Sequence, residues 1–290
     1  MHVVVCVKQV PDTTNVRINP KTNTLMREGV ESIVNPFDEY ALEQALALKD
    51  RIGAKVSVVS MGPPQAKAVL RDALARGADD AYLISSRAFG GADTLATSYT
   101  IARAIQKICG GAAPDLVLFG KQAIDGDTAQ VGPGVSEFLD VPLVTYVKSL
   151  EVAAGRAACP QAAARRVEDN APYQDYTFTV VSAMDDGEHV IEGSFPAVMT
   201  VVKEAAPPRF APLSGAIRAG RAEITVLDEK AIAADPGKIG LGGSPTKVVT
   251  IFPPPVKGGG EKMDARGDAA RGVRALVDFL AKKGLVKKNV

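Results

Sequence analysis

The sequence predicts an α/β fold, a doubly wound and mostly parallel sheet, followed by a β-rich extension and a C-terminal arm. Over residues 1–150, short runs rich in β-branched residues alternate with longer segments of helical periodicity. This alternation is typical of a parallel sheet covered on both faces, and each predicted strand is apolar enough to be buried there. The predicted strands are His2–Val7, Lys55–Met61, Ala81–Ser85, Asp115–Phe119 and Leu143–Val147.

Helix start and stop signals fall between these strands. The first predicted helix begins at Pro36, after Asn35 as a capping residue, and ends at Gly53. Proline at the first helical position and glycine just past the end are the expected boundary residues. The other helices are predicted at Pro64–Ala75, at Asp93–Ile108 and from about Thr128 onward.

A long connection, Lys8–Ser32, interrupts the alternation. Val16–Ile18 and Thr24–Met26 flank a turn-forming segment within it, which predicts a β-hairpin. After residue 150 the pattern changes to two strand-like stretches, Tyr176–Ser182 and Ala197–Val202.

The last third of the chain is rich in proline and glycine. It ends in a predicted amphipathic helix from about Ala269 to Lys283, which we interpret as a docking helix. We therefore divide the chain into an α/β domain with its β extension, residues 1–225, and an arm with the docking helix, residues 226–290.

Composition argues against several classes of function. Lys and Arg number 34 against 33 Asp and Glu, so the formal net charge of +1 gives no electrostatic reason to expect a nucleic-acid partner. The three cysteines are far apart, which argues against a disulfide framework or a zinc site and favours a cytoplasmic location. No apolar run approaches the roughly 18 residues of a membrane span. The two histidines, His2 and His189, give little support to metal or histidine-based catalysis.

The strongest candidate for a binding site follows the predicted strand Asp115–Phe119 and opens the fourth predicted helix. Glycines there let the backbone approach a ligand, and a helix start offers N–H groups and a positive dipole end to a phosphate. An alternative is that Asp125–Thr128 only caps a helix. The predicted nucleotide contacts are Asp125, Gly126, Asp127, Thr128, Ala129, Gln130, Val131, Gly132, Pro133, Gly134, Val135 and Ser136.

Other candidate contacts are predicted at the same edge of the sheet, because ligands of doubly wound sheets bind beyond the carboxyl ends of the strands. Cys6 lies just inside the end of the first predicted strand and Met61 ends the second, and both are also plausible core residues. At the first helix start, Asn35 and Asp38 are also plausible as a cap and a first-turn charge. The full set of these candidates is Cys6, Asn35, Pro36, Phe37, Asp38, Met61 and, at the third helix start, Thr94.

Sharper catalytic motifs are absent from the sequence. It contains no Gly-x-x-x-x-Gly-Lys-Ser/Thr loop, no Gly-x-Gly-x-x-Gly after the first strand and no Gly-x-Ser-x-Gly. Asp125 and Asp127 are open to interpretation as magnesium ligands or as capping groups. We predict no catalytic residue and no metal site. The sequence therefore favours a nucleotide-holding module over a self-sufficient enzyme.

Four motifs occur together and in order, Val4–Asp12, Asn35–Asp38, Ser60–Pro63 and Gly120–Asp127. Together they resemble the electron-transfer flavoprotein beta subunit, from residue 1 to about residue 225. The resemblance implies an adenine-nucleotide-binding domain of flavodoxin-like layout and a heterodimer with an alpha subunit that holds an FAD. It also implies that this chain buries AMP or a second FAD at the contacts named above.

A partner-recognition segment is also implied by the resemblance. Phe195–Val201 leads into Pro208–Leu213, which is similar to the family's strand and recognition loop for partner dehydrogenases. Leu213 would be the apolar anchor of this mobile loop, and burying it in a partner is worth about 2 kcal/mol. A leucine packed in its own core is the alternative. The family's usual Asn-x-Pro-Arg is here Ala206–Arg209, and Cys159–Gln174 matches no family segment.

Two further segments, Met26–Val30 and Arg87–Ser98, resemble members whose beta subunit carries a second FAD. That resemblance implies electron bifurcation, in which NADH delivers two electrons that part toward acceptors of high and low potential, with an acyl-CoA dehydrogenase-type partner. One alternative is a plain electron carrier in which this subunit holds a structural AMP. Another is an ATP-binding enzyme or sensor of the same architecture.

Overall fold

The computed structural model describes residues 1–12, 18–19, 24–25, 32–111, 113–154, 176–249, 258, 262 and 264–286. They belong to two compact units, Met1–Thr250 and Ile251–Val290. The sequence division places residues 226–249 with the arm. In the structure these residues belong to the first unit, where Ile232 and Ile239 are buried.

The first unit is built on a mostly parallel sheet of nine strands. In chain order the described strands are β1 (His2–Cys6), β2 (Gln9–Pro11), β3 (Ile18–Asn19), β4 (Thr24–Leu25), β5 (Ser32–Val34), β6 (Lys55–Met61), β7 (Asp80–Ile84), β8 (Leu116–Gly120), β9 (Leu143–Ala154), β10 (Tyr176–Met184), β11 (Gly187–Ser194), β12 (Ala197–Val201) and β13 (Thr225–Leu227). The order in the nine-stranded sheet is β11-β10-β9-β12-β8-β1-β6-β7-β13, and only its β9–β10 and β10–β11 pairs are antiparallel.

The remaining strands form two small antiparallel pairs, β2 with β5 and β3 with β4. The β3–β4 pair confirms that the long connection contains a β-hairpin. Its predicted outer residues Val16 and Met26 lie outside the described residues, as does the segment Met26–Val30. The segment Cys159–Gln174 lies outside them too.

Helices cover both faces of the sheet, which confirms the doubly wound fold. In chain order the helices are α1 (Pro36–Ile52), α2 (Lys67–Arg76), α3 (Thr94–Ile108), α4 (Val131–Leu139), α5 (Leu213–Arg221) and, in the second unit, α6 (Ala269–Lys282). Single 3₁₀ turns lie at Pro64–Ala66, Arg87–Phe89 and Pro236–Lys238. None of the helices in the described part of the chain has the length and apolarity that a membrane span needs.

The alternation of side chains along the central strand β1 divides the core into two layers. Val3 and Val5 lie in one buried cluster with residues of α1, α2 and α5, while Val4 and Cys6 lie in the other with residues of α3 and α4. This is the period of two expected of a strand buried on both faces. The β-branched run His2–Val7 is therefore a buried parallel strand as predicted, and the strand ends at Cys6.

Helix α5 begins at Leu213, so this residue is the first of a helix and not part of a loop as we expected. The whole helix was missed, because Pro212 stands at the cap position in place of the Ser, Thr, Asp or Asn that usually marks a helix start. On its inner side Gly215 is buried against α2, and the ideal Cβ position there is 2.1 Å from the Ala75 carbonyl oxygen. Only glycine lets the two helices approach this closely.

The second unit contains α6. Asp268 caps this helix by accepting a hydrogen bond from the backbone N–H of Arg271. Val273, Leu276 and Phe279 are exposed, and no residue of the helix is buried. The predicted helix is therefore present, and its docking role stays a prediction.

Two glycines of α5 provide a matched test of the close helix contact. Gly215→Ala should destabilise the chain by about 1–3 kcal/mol, because the added methyl group overlaps backbone of α2. Gly220→Ala, at a position with open space in the same helix, should stabilise it by up to about 1 kcal/mol. Urea denaturation of both variants measures the difference. Equal effects of the same sign would contradict the contact.

Candidate functional site

A cleft of about 1230 Å³ lies at the carboxyl ends of four neighbouring parallel strands, β8, β1, β6 and β7. Strands about 4.8 Å apart make this edge about 14 Å wide between the outer two. Most pockets for small molecules have about 300–1,000 Å³. The cleft is therefore large for a mononucleotide and lies where doubly wound sheets bind ligands.

Several of the predicted contacts line this cleft together. They come from five different parts of the first unit, and the edge of the sheet brings them together as predicted. They are Cys6, Asp38, Met61, Thr94, Gly126, Thr128, Ala129, Gln130, Val131 and Gly132.

The other predicted contacts do not line the cleft and lie in the helices and loops next to it. Pro36 starts α1, and the Phe37 ring lies 4.8 Å from the Lys203 ammonium group. Within α4, Val135 is fully buried and the Ser136 hydroxyl donates to the Val141 carbonyl. The remaining ones are Asn35, Asp125, Asp127, Pro133 and Gly134, none of which is among the residues that line the cleft.

The buried carboxylate of Asp38 ties the strand ends at the floor of the cleft. It accepts the backbone N–H of Lys8, at 2.7 Å, and the backbone N–H of Gly120. Gly120 is the last residue of β8, and Lys8 follows the end of β1, the neighbouring strand. A Cβ atom at Gly120 would lie 2.4 Å from the Asp38 Oδ1, so glycine is required there.

Asn35 connects the start of α1 with the loop after β8. Its side-chain amide donates to Asp38 Oδ1 and to the Gln122 carbonyl, each at 2.9 Å, and its Oδ1 accepts the Ile124 N–H. Asn35 stands at the N-cap position but makes no side-chain cap bond. The predicted capping interaction is therefore wrong, because the amide is engaged by a loop that is distant in sequence.

The loop before α4 also differs from the prediction. The helix begins at Val131, after Gln130 at the cap position, and not near Thr128. Asp127 and Ala129 have φ angles of 54° and 53°, a left-handed conformation that interrupts a helix. The predicted phosphate grip therefore consists of an irregular loop followed by the free N–H groups of the first turn of α4.

A second helix start lies beside this loop. The Thr94 hydroxyl, at the first position of α3, donates to Gln130 Oε1 at 3.1 Å. The α3 helix begins as predicted, because Asp93 Oδ1 accepts the N–H groups of Leu95 and Ala96. Two helix N-termini therefore lie side by side at one region of the cleft. The N-terminus of α3 is capped by a carboxylate, whereas that of α4 has no side-chain cap and is the better anion site.

The acidic side chains of the loop have separate local partners. Lys8 Nζ lies 2.7 Å from Asp125 Oδ1, and the Gln122 amide donates to Asp127. Both carboxylates are thereby partly compensated next to a site suited to an anion. The described residues contain no group of three or more His, Cys, Asp or Glu side chains that could hold a metal ion.

Burial changes the acidity of two groups at the floor of the cleft. It raises the pKa of Asp38 to about 7, against the hydrogen bonds from Asn35, Lys8 and Gly120, which lower it. Burial, together with the neighbouring Asp38, raises the pKa of the Cys6 thiol well above its ordinary value. Cys6 is therefore a neutral wall residue and not a thiolate nucleophile.

Residues 239–248 form another side of the cleft, which the sequence analysis did not predict. Thr246 and Val248 line it, more than 100 positions away from the loop after β8. Their proline- and glycine-rich surroundings indicated only an extended arm. Sequence spacing carried no signal that this segment returns to the sheet edge.

The fold and the cleft define a doubly wound α/β protein with a candidate ligand site at the carboxyl edge of its parallel sheet. A family model for the electron transfer flavoprotein domain matches residues 22–232. The chain belongs to this family, as a beta subunit, and its function is electron transfer.

Three relatives illustrate the range of the family. The chain is 45% identical to the electron transfer flavoprotein subunit beta of Megasphaera elsdenii, over 100% of both chains. It is 47% identical to the caffeyl-CoA reductase-Etf complex subunit CarD of Acetobacterium woodii, over 90% of this chain and 91% of that one. It is 46% identical to the protein FixA of Azotobacter vinelandii, over 88% of this chain and 84% of that one.

The raised pKa of Asp38 predicts a pH-dependent stability. Because the folded pKa of about 7 exceeds the unfolded value, the protein folds with a bound proton between these two values. The contribution of Asp38 to the unfolding free energy should therefore fall by about 1.4 kcal/mol per pH unit from about pH 4 to 7, and then level off. Urea denaturation at pH 5, 6, 7 and 8 measures this dependence.

Asp38→Asn is the matched variant, because it removes the titration but keeps the shape of the side chain. It should be less stable at low pH, since its NH₂ group faces an N–H donor, and its stability should fall less steeply with pH. The contributions of the other titrating groups to the pH dependence cancel when the two proteins are compared. Parallel pH profiles of the two proteins would contradict the assignment.

Proposed function

We propose that the cleft holds a second FAD and that this chain is the beta subunit of a heterodimeric electron-transfer flavoprotein, with an alpha subunit that holds the first FAD. The complex passes electrons between NADH, or a dehydrogenase, and a redox partner by flavin-based electron bifurcation. The observation that carries the choice of FAD is the extent of the cleft along four strand ends. A dinucleotide needs that extent, and a mononucleotide does not.

The residues of the cleft fit the two chemical halves of such a ligand. The phosphates would lie against Thr128, Gln130 and the first N–H groups of α4. Gly126 offers backbone approach, since a Cβ there would meet no atom within 4 Å. Apolar walls for the rings come from Val59, Met61, Ile84, Phe89, Ile101, Phe119 and Val131. When bound, an FAD supplies a carrier that takes up electrons in pairs and can release them singly.

The chain's own residues bind and orient the cofactor. The proposed electron transfer does not require a proton transfer by any of them. The hydrogen bonds of Asn35 and Asp38 fix the floor of the cleft before the ligand binds. Binding therefore does not have to offset the entropy cost of ordering these residues. The apolar walls exclude water from the rings. The chain is therefore an electron-transfer subunit and not a self-sufficient catalyst.

The proposed partner is an acyl-CoA dehydrogenase-type enzyme. One relative carries caffeyl-CoA reductase in its name, and caffeyl-CoA is an acyl-CoA thioester. NADH is the proposed donor of electron pairs, and the proposed location is cytoplasmic. Cys6 and Cys109 are free, as is usual in a reducing compartment.

Counting the bound nucleotides tests the proposal. The chain should be co-expressed with its alpha subunit, and the nucleotides of the purified heterodimer should be released and quantified by chromatography. We expect two FAD per heterodimer. One FAD with one AMP would overturn bifurcation and support a plain electron carrier with a structural AMP. Tight ATP binding or ATP turnover by the isolated chain would instead support an ATP-dependent enzyme or sensor.

We propose a docking surface for the dehydrogenase at the start of α5. Leu213 is 79% exposed, which removes the alternative that it packs in its own core. Ile217 lies one turn further along the same face of the helix and Phe210 precedes it, and both are exposed. An exposed apolar cluster of this kind is typical of a protein-binding site.

Leu213→Ala should slow electron transfer to the dehydrogenase by about ten-fold at limiting partner concentration, because the truncation removes most of the buried anchor. The nucleotide content should not change. Val190→Ala, which shortens an exposed apolar residue on the distant edge strand β11, is the control. Rates measured against partner concentration separate docking from the electron-transfer step. Equal rates in both variants would exclude Leu213 as an anchor.

A further inference from the structure

Residues 239–248, called the strap from here on, follow β13 and pass along the loop after β7. Ile239 is buried in the core and anchors the start of the strap. The backbone N–H of Leu241 donates to the Gly90 carbonyl at 3.0 Å. Gly240 has a φ angle of +56°, and a Cβ there would lie 2.1 Å from the Ala88 carbonyl oxygen. The strap thus lies in direct contact with the backbone of that loop.

Asp93 is the main polar attachment of the strap. Its Oδ2 accepts the Thr246 hydroxyl at 2.8 Å and the Thr246 N–H at 3.1 Å. Its backbone N–H donates to the Ser244 hydroxyl at 2.8 Å, and this hydroxyl donates to the Gly240 carbonyl. Burial raises the pKa of Asp93, but the hydrogen bonds from Ala96, Thr246 and Leu95 lower it more, so that the pKa lies below its ordinary value.

The two oxygens of this carboxylate have different tasks. Oδ1 caps α3 through Leu95 and Ala96, and Oδ2 holds the strap. Both ends of this connection belong to the cleft, because Thr94 lines it from α3 and Thr246 lines it from the strap. One side chain therefore joins the helix start that faces the ligand to the segment that covers the ligand's side.

We propose that Asp93 is a positioning residue that closes the strap over the cleft, and that the closed strap slows the release of the bound nucleotide. Val248 lines the cleft while 77% exposed, so its apolar surface is available to a ring of the ligand. The inference rests on the proposed nucleotide site but not on which nucleotide occupies it. In this proposal the strap retains the bound nucleotide and has no part in electron transfer.

The test uses the heterodimer with Thr246→Val combined with Ser244→Ala. These changes remove three side-chain hydrogen bonds of the strap, two of them to Asp93 and one to the Gly240 carbonyl, and leave the Asp93 cap of α3 in place. The nucleotide that co-purifies with this subunit should leave about ten-fold faster, as expected for the loss of a hydrogen bond to a charged group. Release is followed after dilution, by FAD fluorescence or by chromatography of AMP. Thr246→Ser, which keeps the hydroxyl, should retain the parent rate.

Hydrogen exchange distinguishes strap opening from damage to the fold. Amides of residues 240–248 should exchange faster in the double variant, while the Leu95 and Ala96 amides keep their protection. Gly240→Ala displaces the strap by steric overlap and should also speed release. Release at the parent rate in both variants overturns the proposal, and so does faster release with loss of protection at Leu95 and Ala96. Finding AMP in the parent heterodimer would overturn the proposal of a second FAD. The test of the strap would still hold, because it measures the release of whichever nucleotide is bound.

Discussion

The structure of the site depends on one buried carboxylate, that of Asp38. A charge removed from water is costly unless donors surround it, and Asp38 receives N–H groups from the ends of two strands and from Asn35. These bonds fix the distance between the carboxyl ends of β1 and β8. The floor of the cleft is thereby defined before any ligand binds, and the absence of a side chain at Gly120 is part of the same arrangement.

The electrostatics of the cleft follow from this floor. The hydrogen bonds of Asn35 hold the loop after β8 in place. Because Asp127 and Ala129 in this loop have left-handed backbone conformations, α4 begins only at Val131. The first turn of α4 consequently comes close to the first turn of α3. With the loop carboxylates paired locally, the first turn of α4, which has no side-chain cap, favours an anion in the cleft. The cationic side chains of Lys8, Arg87 and Lys121 also line the cleft and add to this preference.

The sequence predicted most of the sheet because buried parallel strands are continuous β-branched runs, and Lys55–Met61 was placed with its correct bounds. It missed β11, whose residues are mostly exposed and polar, and β13, which has three residues. At the site, glycines and helix starts predicted the loop after β8. The hydrogen bonds of Asn35 and the contact between Asp93 and Thr246 could not be predicted, because each joins segments that are far apart in sequence.

The position of the strap in the chain has a consequence for the order in which the cleft is built during synthesis. All strands of the sheet, up to Leu227, leave the ribosome before the strap does. Chains fold from the N-terminal side as they are made, so the floor of the cleft is complete while its side is still open. A nucleotide that bound in this interval would meet no covering segment, and the later residues would then enclose it. On the proposed role of the strap, loading during synthesis and exchange in the finished protein would follow different routes.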